Sequence, residues 1–495
     1  MSETTPARTR YAPSPTGRTH LGNLRTALFA WLWARHTGGQ FILRIEDTDR
    51  ERLVEGAQNE LMDALRWLGL DWDEGPDKAN GTRYIQSHNL ARYTEIAQTL
   101  ISSGRAYYCD CTPERLEIVR RTQQARGQKP RYDNHCRSRA LTAGENRVIR
   151  FAMPENGDTV VHDLLRGAIR FENADQGDPI IVKSDGFPTY HLASVIDDHD
   201  MGITHIIRAD EWLPSTPIHA NLYAALGWQA PIFVHLPLVT DHERRKIKKR
   251  ADADQSAEYA EYAELLRVAT LRQRGYLPQA VFNFLAFLGW HPGSTDEIMT
   301  QEEIVARFSL DRLSTSPAVF DVDRLNWFNQ QHMKRLSAAE LASLALPYLR
   351  EAYPNAPLED AAWLEALMNA VRDELVAVGE VAESARFALE TPRSFTPEAA
   401  AALRGETAAL AINALLAALP QAERLTHAEA ESVLKGLRDH LKQAHNLGGK
   451  QILPPIRAAL TGTTGGAHLT DILALISVGE AQARLRAALA HIATA

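Results

Sequence analysis

The sequence has few cysteines and no long apolar run. Its 495 residues include three cysteines, a number that cannot pair evenly into disulfides. No apolar stretch approaches the roughly 18 residues that a membrane-spanning helix needs. The first residues, Met1 to Pro6, lack the apolar core of a secretion signal. We therefore expect a cytoplasmic protein with no membrane segment.

An excess of positive charge is also missing. The formal net charge is −8, which argues against broad basic adhesion to nucleic acid, so any RNA contact must come from local basic patches. There is no internal repeat and no low-complexity tract beyond an enrichment in alanine. The length can support two or more hydrophobic cores.

The pattern near the start predicts a strand, a turn and a helix, which together are one way to build a phosphate site without a P-loop. The turn is Tyr11-Ala-Pro-Ser-Pro-Thr-Gly17, followed by His20-Leu-Gly-Asn23 and a helical run to His36. Glycine allows close approach of a phosphate, a helix N-terminus supplies unpaired N–H groups, and histidine adds a donor. A His-x-Gly at a helix start is weak evidence alone, since many helices begin that way.

A basic run lies roughly two hundred residues later, at Arg244-Arg-Lys-Ile-Lys-Lys-Arg250, where six of seven residues are cationic. On its own this run is better explained as a solvated loop or a nucleic-acid patch. However, Lys246-Ile-Lys-Lys-Arg250 resembles the mobile Lys-Met-Ser-Lys-Ser loop of class I aminoacyl-tRNA synthetases, and His20-Leu-Gly-Asn23 resembles their His-Ile-Gly-His element. Finding both in this order makes chance much less plausible.

Further motifs are similar to those of bacterial-type glutamyl-tRNA synthetases. The similarity extends from about residue 8 to 485, and its motifs are Arg10 to Gly17, Leu43-Arg-Ile-Glu-Asp-Thr-Asp-Arg50, Lys183 to His191, Asp197 to Arg208, Asp210-Glu-Trp212, and Pro455-Ile-Arg-Ala-Ala-Leu-Thr-Gly462.

The alternation of strand and helix patterns up to residue 106 predicts a parallel sheet with flanking helices. The resemblance implies an α/β Rossmann-like catalytic domain, an inserted subdomain and an all-α anticodon-binding region. The expected boundaries are 8–106 and 181–250 for the two catalytic halves, 107–180 for the acceptor-binding insert with its cysteines, 251–325 for a helical stem-contact domain, and 326–385 and 386–495 for two anticodon-binding subdomains.

The implied activity is that of a glutamate–tRNA ligase. Glutamate and ATP form glutamyl-adenylate and pyrophosphate, with Mg²⁺ accompanying ATP, and the glutamyl group then passes to the 3′ end of tRNA(Glu). By resemblance the catalytic residues are His20, Lys246 and Lys249; glutamate contacts Arg10, Ala12, Ser14, Glu46, Tyr190, Ser194 and Arg208; and ATP contacts Ser14, Thr16, Gly17, His20, Gly22, Asn23, Glu211, Val239, Lys246 and Lys249.

The two arginines of this set suit an anionic substrate, because a guanidinium can bind a carboxylate through two hydrogen bonds. Arg10 and Arg208 would take carboxylates, and Glu46 would take the α-ammonium group. Outside the motifs, a surface ion pair would be the simpler explanation for each arginine, and an ordinary carboxylate at the end of a strand for Glu46. The chain departs from the family pattern at Ser194, where some relatives have Asn.

The mobile loop also departs from the pattern. It carries Lys248 where a small hydroxyl residue is usual, and the segment 251–274 that follows is longer than in relatives. We predict an active enzyme, because Lys246 and Lys249 are retained.

The cysteines are spaced as Cys109-x-Cys111, 24 intervening residues, then Cys136. Zinc-containing relatives continue with Cys-x-His, but here Ser138 stands at the fourth position, and a structural zinc needs about four ligands. Two interpretations stay open: a zinc site at Cys109, Cys111 and Cys136, or a thiol cluster packed without metal.

RNA contacts are expected at Arg131 in the insert and at Lys450 and Arg457 near the C-terminus, although each could belong to a solvated basic face. The sequence leaves open whether tRNA(Gln) is charged as well, and the resemblance favours a monomer. Four alternatives were weighed: a glutamyl-queuosine tRNA synthetase, a glutaminyl-tRNA synthetase, a silent tRNA-binding protein and a small-molecule nucleotidylyltransferase. The helical region 330–495 argues against the first and last, Ser14 against the second, and the retained His20 and Glu46 against the third.

Overall fold

The computed structural model describes residues 5–17, 19–243, 245 and 262–494. The chain divides into two compact units. The first contains the residues up to Leu271 and Val281–Val322, and the second contains Arg272–Ala280 and Asp323–Ala495. The change of unit at residue 322 falls close to the expected boundary at 325. Within the described part of the range 251–325, residues 272–280 and 323–325 belong to the second unit and the others to the first.

A six-stranded sheet organises the first unit. Its strands lie in the order β2 (Gln40–Leu43), β1 (Arg8–Tyr11), β8 (His205–Ala209), β9 (Ile232–Leu236), β5 (Asp158–Asp163) and β6 (Gly167–Glu172). Every neighbouring pair is parallel except the β5–β6 hairpin. Parallel strands covered on both faces are rich in apolar residues throughout, as Ile-Phe-Val-His-Leu in β9 illustrates. This confirms the predicted parallel sheet. The strands of the chain are β1 (Arg8–Tyr11), β2 (Gln40–Leu43), β3 (Ala106–Cys109), β4 (Val148–Phe151), β5 (Asp158–Asp163), β6 (Gly167–Glu172), β7 (Ile180–Val182), β8 (His205–Ala209), β9 (Ile232–Leu236), β10 (Val239–Thr240) and β11 (Ala318–Val319).

Helices cover this sheet. The helix predicted after His20 forms, and ten of its sixteen residues are buried. The next helix begins at Ala57, directly after Gly56, which adopts a left-handed φ of 78°. The helices of the first unit are Leu21–His36, Ala57–Trp67, Leu90–Ser102, Pro113–Ala125, Tyr190–Asp200, Thr216–Leu226, Val268–Gln273, Pro278–Phe287 (which starts in the second unit) and Gln301–Arg307.

The insert expected at 107–180 contributes to two sheets. Strands β3, β4 and β7 form a separate antiparallel sheet. The β5–β6 hairpin instead joins the central sheet, because Asp163 in β5 pairs with Phe233 in β9. Part of the insert therefore belongs to the catalytic sheet, which the motif boundaries did not indicate.

The second unit is helical in its described residues, as predicted. Its two cores are built around helix 361–371 and around helices 408–418 and 427–445. Helix 361–371 ends at Val371, and the helical structure breaks between Leu403 and Ala408 to give two separate helices. Its helices are Val322–Arg335, Ala338–Ala352, Ala361–Val371, Val381–Ser384, Arg386–Leu389, Pro397–Leu403, Ala408–Ala418, His427–His445, Gly449–Thr461, Leu469–Leu475 and Val478–Thr494.

Capping explains several of these ends. Thr396 accepts a hydrogen bond from the N–H of Ala399, and Pro397 occupies the first helical position as the sequence suggests. Gly462, with a φ of 77°, ends helix 449–461 and opens the predicted turn. None of the helices in the described ranges is long and apolar enough to span a membrane.

Candidate active site

The predicted glutamate-binding residues meet at the carboxyl edge of the parallel strands. Arg10 is the penultimate residue of β1, Arg208 of β8 and His235 of β9, and Glu46 lies just beyond β2. In open parallel sheets, ligands bind at this edge where neighbouring strands lead to opposite sides of the sheet. Here that point lies between β1 and β8.

One fully buried guanidinium organises the floor of the site. Arg44 donates to Asp198 at 2.7 Å, to Glu46 at 3.1 Å and to the Ser194 hydroxyl at 3.3 Å, and its Nε lies 3.6 Å from Asp197. Burial alone would make such a charge costly, so several partners are required. Arg44 thereby fixes the carboxylate of Glu46.

Arg10 enters the same network. Its Nε donates to Asp198 at 3.0 Å, and Arg10 is 5% exposed. Its Nη1 and Nη2 atoms make no hydrogen bond to any described residue. The two terminal nitrogens that could grip a carboxylate are therefore not used by the protein.

Three carboxyl groups face these two guanidiniums. Burial raises the pKa of Glu46 although Arg44 and Arg10 oppose it. Burial also raises the pKa of Asp197 to about 7. The pKa of Asp198 is lowered, because Arg10 and Arg44 outweigh its burial. Acidic groups thus outnumber basic ones, which suits an incoming ammonium group.

The motifs predicted no role for Arg44, Asp197 or Asp198. The last two lie on the helix Tyr190–Asp200, at seven and eight residues from Tyr190 and close to Ser194 in helical register. Residues at this spacing share one helix face. That register was the available signal, since Tyr190 and Ser194 were already predicted to face the substrate.

Arg208 is held by neutral groups. Its Nη1 donates to the Tyr190 hydroxyl at 2.6 Å, its Nη2 to Thr216 Oγ1 at 2.9 Å and its Nε to His235 Nε2 at 3.0 Å. The longer contacts are 3.5 Å to His219 and 3.4 Å to the Trp212 carbonyl. No described carboxylate forms an ion pair with this guanidinium, which is 5% exposed.

A buried cation without a counter-ion is costly unless an anion arrives from outside. Tyr190 contacts Arg208 directly, and the charge of Arg10 also acts on its hydroxyl. Burial raises the pKa of its hydroxyl, and the charges acting on it are Arg208, Glu46, Arg10 and Asp198. The arrangement fits an anionic amino acid whose ammonium group lies near Glu46.

The phosphate element is built differently from the prediction. The His20 ring caps its own helix, because Nδ1 accepts from the N–H of Gly22 at 3.0 Å. The N–H of Leu21 donates to the Leu266 carbonyl at 2.8 Å, and Asn23 and Leu24 donate to the His20 carbonyl. The prediction that these first-turn N–H groups are unpaired is therefore wrong. A phosphate at this helix start would meet the positive end of the helix dipole.

Gly22 is required by the cap. A Cβ at this position would lie 2.9 Å from Cε1 and 3.2 Å from Nδ1 of His20, so any side chain there would push the His20 ring aside. The glycine therefore serves the histidine ring directly, and not only the approach of a ligand.

The remaining predicted ATP residues lie around this edge. The loop after β1 is tied to the site, since Glu46 donates its N–H to Pro13 at 3.0 Å. Glu211 lies in the 3₁₀ turn Asp210–Ser215 that follows β8, and Val239 lies in β10. Lys246 and Lys249, with Lys248 and the longer segment up to residue 261, lie outside the described residues. The loop that follows β1 contains Ala12, Ser14, Thr16 and Gly17.

The three cysteines come together. Their sulfur atoms lie within 4.8 Å of one another, and Cys111 is 3.5 Å from Cys136. The Tyr132 hydroxyl lies 3.5 Å from Cys109 and 3.4 Å from Cys111, and it accepts the N–H of Cys136 at 2.9 Å. A tetrahedral zinc with sulfur at about 2.3 Å spaces its ligands about 3.8 Å apart. The four atoms fit such a site.

Arginines surround these sulfurs. Arg115 donates to Cys111, Arg139 to Cys136 and Arg150 to Cys109, at 3.5, 3.4 and 3.3 Å. Burial by itself raises the pKa of Cys109, but hydrogen bonds from Tyr132, the Cys111 backbone and Arg150 lower it to about 7. The cluster thus favours at least one thiolate. Ser138 stands at the fourth position of the sequence pattern. The fold instead places Tyr132, four residues before Cys136, at the cluster, and the sequence did not predict this.

The predicted RNA contacts differ in their surroundings. Arg131 and Lys450 are exposed. Arg457 is turned inward, and its guanidinium donates to the carbonyls of Gly466, at 3.1 Å, and Ala467.

The first unit is a parallel sheet whose carboxyl edge carries this pocket, and the second unit is helical; this is the architecture of the class I tRNA synthetases that the chain matches in sequence. Residues 6–327 match the sequence model described as tRNA synthetases class I (E and Q), catalytic domain. Residues 340–489 match the model described as an anticodon binding domain. The chain belongs to this class I family for glutamate and glutamine.

Individual relatives agree along the full chain. A glutamate–tRNA ligase of Dehalococcoides mccartyi is 41% identical over 495 residues, covering 99% of this chain and 98% of that protein. One of Desulforamulus reducens is 40% identical, covering 97% and 99%. The crystal structure of a glutamate tRNA ligase of Elizabethkingia meningosepticum in complex with its amino acid has a TM-score of 0.86 at 32% identity, covering 98% of this chain and all of that one.

Proposed function

We propose that this protein is a glutamate–tRNA ligase that uses ATP to join L-glutamate to tRNA(Glu). The observation that carries the proposal is Arg208, a buried guanidinium at the carboxyl edge of the sheet whose described partners are all neutral. The side-chain carboxylate of glutamate would complete its pairing. Glutamine and aspartate would not, because one lacks the charge and the other is shorter by a methylene group.

The remaining groups of glutamate follow from the same geometry. Glu46, held by Arg44, would receive the α-ammonium group, and Arg10 would contact a carboxylate through its two terminal nitrogens. Tyr190, Ser14, Ala12 and Ser194 would line the remaining surface.

The first chemical step is attack by the α-carboxylate of glutamate on the α-phosphorus of ATP. One oxygen of the carboxylate forms the new bond to the α-phosphorus. The bond between this phosphorus and the oxygen that bridges to the β-phosphate breaks, and pyrophosphate leaves. Catalysis of this kind is positioning and charge stabilisation. His20 and the helix dipole would hold phosphate, Lys246 and Lys249 would offset developing charge, and Mg²⁺ would accompany the nucleotide.

The second step transfers the glutamyl group. A ribose hydroxyl at the tRNA 3′ end attacks the carbonyl carbon, the bond to the phosphate oxygen breaks, and AMP leaves. We propose that the insert at 107–180, including Arg131, contacts the acceptor end and that 251–325 contacts the stem. Subdomains 326–385 and 386–495, with Lys450 and Arg457, would read the anticodon. We further propose a cytoplasmic monomer.

The test is charging with labelled glutamate, glutamine and aspartate on separate tRNA(Glu) and tRNA(Gln) transcripts. We expect glutamate to be attached to tRNA(Glu) and the other two amino acids to be rejected. Charging of tRNA(Gln) as well would define a non-discriminating enzyme. Failure to charge either transcript with glutamate would refute the proposal.

We also propose that the cysteine cluster holds one zinc ion through Cys109, Cys111, Cys136 and the Tyr132 oxygen. Zinc would supply the fold of the insert with a fixed crosslink. Elemental analysis of the purified protein should give about one zinc per chain. Cys136→Ser should lose it and Tyr132→Phe should release it more readily to a chelator, with Ser138→Ala as the matched control. A metal-free wild type with full insert stability would favour the arginine-paired thiol cluster instead.

A further inference from the structure

The side chain that would select glutamate is itself oriented by a second layer of buried residues. Arg208 donates its Nε–H to Nε2 of His235 at 3.0 Å. An arginine has donors only, so this contact requires His235 Nε2 to carry a lone pair and no proton. The neutral ring must therefore hold its proton on Nδ1.

Asp163 imposes that tautomer. Its Oδ2 lies 2.7 Å from His235 Nδ1 and also accepts the His235 backbone N–H at 2.9 Å. Its Oδ1 accepts the backbone N–H groups of Leu165 and Arg166, each at 3.0 Å. Four donors point at this carboxylate, and its pKa is lowered because His235 and these backbone groups outweigh its burial.

The ring between them stays neutral. Burial lowers the pKa of His235 and Arg208 lowers it further, while Asp163 opposes both. A second proton would face the Arg208 guanidinium and remove its acceptor. His235 and Asp163 are 0% and 3% exposed, so water does not substitute for either partner.

We infer that Asp163 and His235 are positioning residues that fix the Arg208 guanidinium for the side-chain carboxylate of glutamate. With Nε held by His235, the planar group keeps its Nη1 at the Tyr190 hydroxyl and its Nη2 at Thr216 Oγ1. The inference rests on the proposed function. It also gives the β5–β6 hairpin a role in amino-acid selection, because Asp163 is the last residue of β5.

Asp163→Asn tests the first member of the hydrogen-bonded series Asp163, His235 and Arg208. The asparagine amide must direct its NH₂ group either at the two donors of His235 or at the backbone N–H groups of Leu165 and Arg166. Where it faces His235, the ring proton moves to Nε2 and meets the Nε–H of Arg208. In glutamate-dependent pyrophosphate exchange with tRNA present, we expect the KM for glutamate to rise about tenfold or more while the KM for ATP stays within about twofold.

His235 allows a rescue experiment. In His235→Gln the amide oxygen can accept from Arg208 in place of Nε2, whereas His235→Leu has no acceptor. We expect the glutamate KM of the Leu variant to rise as in Asp163→Asn, and the Gln variant to recover most of the wild-type value. Asp158→Asn and His162→Gln are matched controls, since both residues are exposed on the same strand.

Thermal unfolding of every variant separates positioning from folding. A parallel rise of both KM values, a defect that follows the unfolding temperature, or wild-type glutamate KM in His235→Leu would overturn the inference. Failure of the wild type to activate glutamate would instead refute the proposed function, so the two failures are distinguishable.

Discussion

At the scale of single residues, the site depends on charges that the protein cannot neutralise by itself. Arg44 satisfies Asp198 and Glu46 internally, whereas Arg208 has only neutral partners among the described residues. Burial makes an unpaired charge expensive and a supplied counter-charge correspondingly valuable. Selection of an anionic amino acid follows from this imbalance.

Glu46→Gln should weaken glutamate binding specifically. Removing the negative charge leaves the α-ammonium group with a neutral partner, and a hydrogen bond to a charged group contributes about 1.5–3 kcal/mol. We expect the KM for glutamate to rise about 10- to 100-fold, with little change for ATP. Steady-state pyrophosphate exchange measures both. An equal effect on the two substrates would contradict the assigned role.

Asp197 predicts a pH dependence of stability. Its pKa is about 7 in the folded protein and usually 3.8, so between these values the folded state binds more protons than the unfolded state. Stability should therefore fall as pH rises from about 4 to 7, by about 2–4 kcal/mol from this group.

Asp197→Asn removes this titration. Unfolding temperatures measured from pH 5 to 8 should decline more for the wild type than for the variant, whatever the variant's absolute stability. Parallel curves would show that Asp197 is ionised throughout, with Arg44, Gln86 and Tyr93 stabilising its charge.

At the scale of elements, the helix Leu21–His36 shows how local sequence and tertiary contacts combine. The sequence predicted the helix and its His-x-Gly start correctly. It could not predict that the carbonyl of Leu266, distant in sequence, would accept the N–H of Leu21. Helix ends must satisfy their donors, and only the folded chain decides which acceptors are near.

Gly22→Ala should damage nucleotide binding without destabilising the helix. The added methyl group would displace the His20 ring from its cap, while alanine favours a helix over glycine by about 1 kcal/mol. We expect the KM for ATP to rise about tenfold with the unfolding temperature unchanged or higher. Gly436→Ala, in an open position on helix 427–445, is the control. An unchanged KM for ATP would remove His20 from the phosphate site.

At the scale of the whole molecule, the two compact units have separate cores. Leu192 is fully buried in the first and Leu367 in the second. Truncating a buried leucine to alanine costs about 2–5 kcal/mol. Each substitution should therefore lower the stability of the unit that contains it.

Scanning calorimetry should resolve this difference. We expect Leu192→Ala to lower one transition and Leu367→Ala another, and ATP with glutamate to raise only the transition that Leu192→Ala lowers. A single transition that both substitutions shift equally would show that the chain unfolds as one cooperative unit.

The sequence by itself determined the class of fold and most of the pocket. Periodicity predicted the parallel sheet and the helical second half, and the resemblance to a known family named Arg10, Glu46, Tyr190 and Arg208, which the structure brings to one edge of the sheet. These features are local: each motif carries its own residues, and parallel strands bring their carboxyl ends to one edge whatever lies between them.

Only the tertiary structure decided how those residues are held. Asp163 reaches His235 because a hairpin assigned to the insert joins the central sheet. Tyr132 reaches the cysteines through a contact that no local pattern encodes. Long-range hydrogen bonds between buried groups depend on register and packing, which the spacing of residues along the chain does not record.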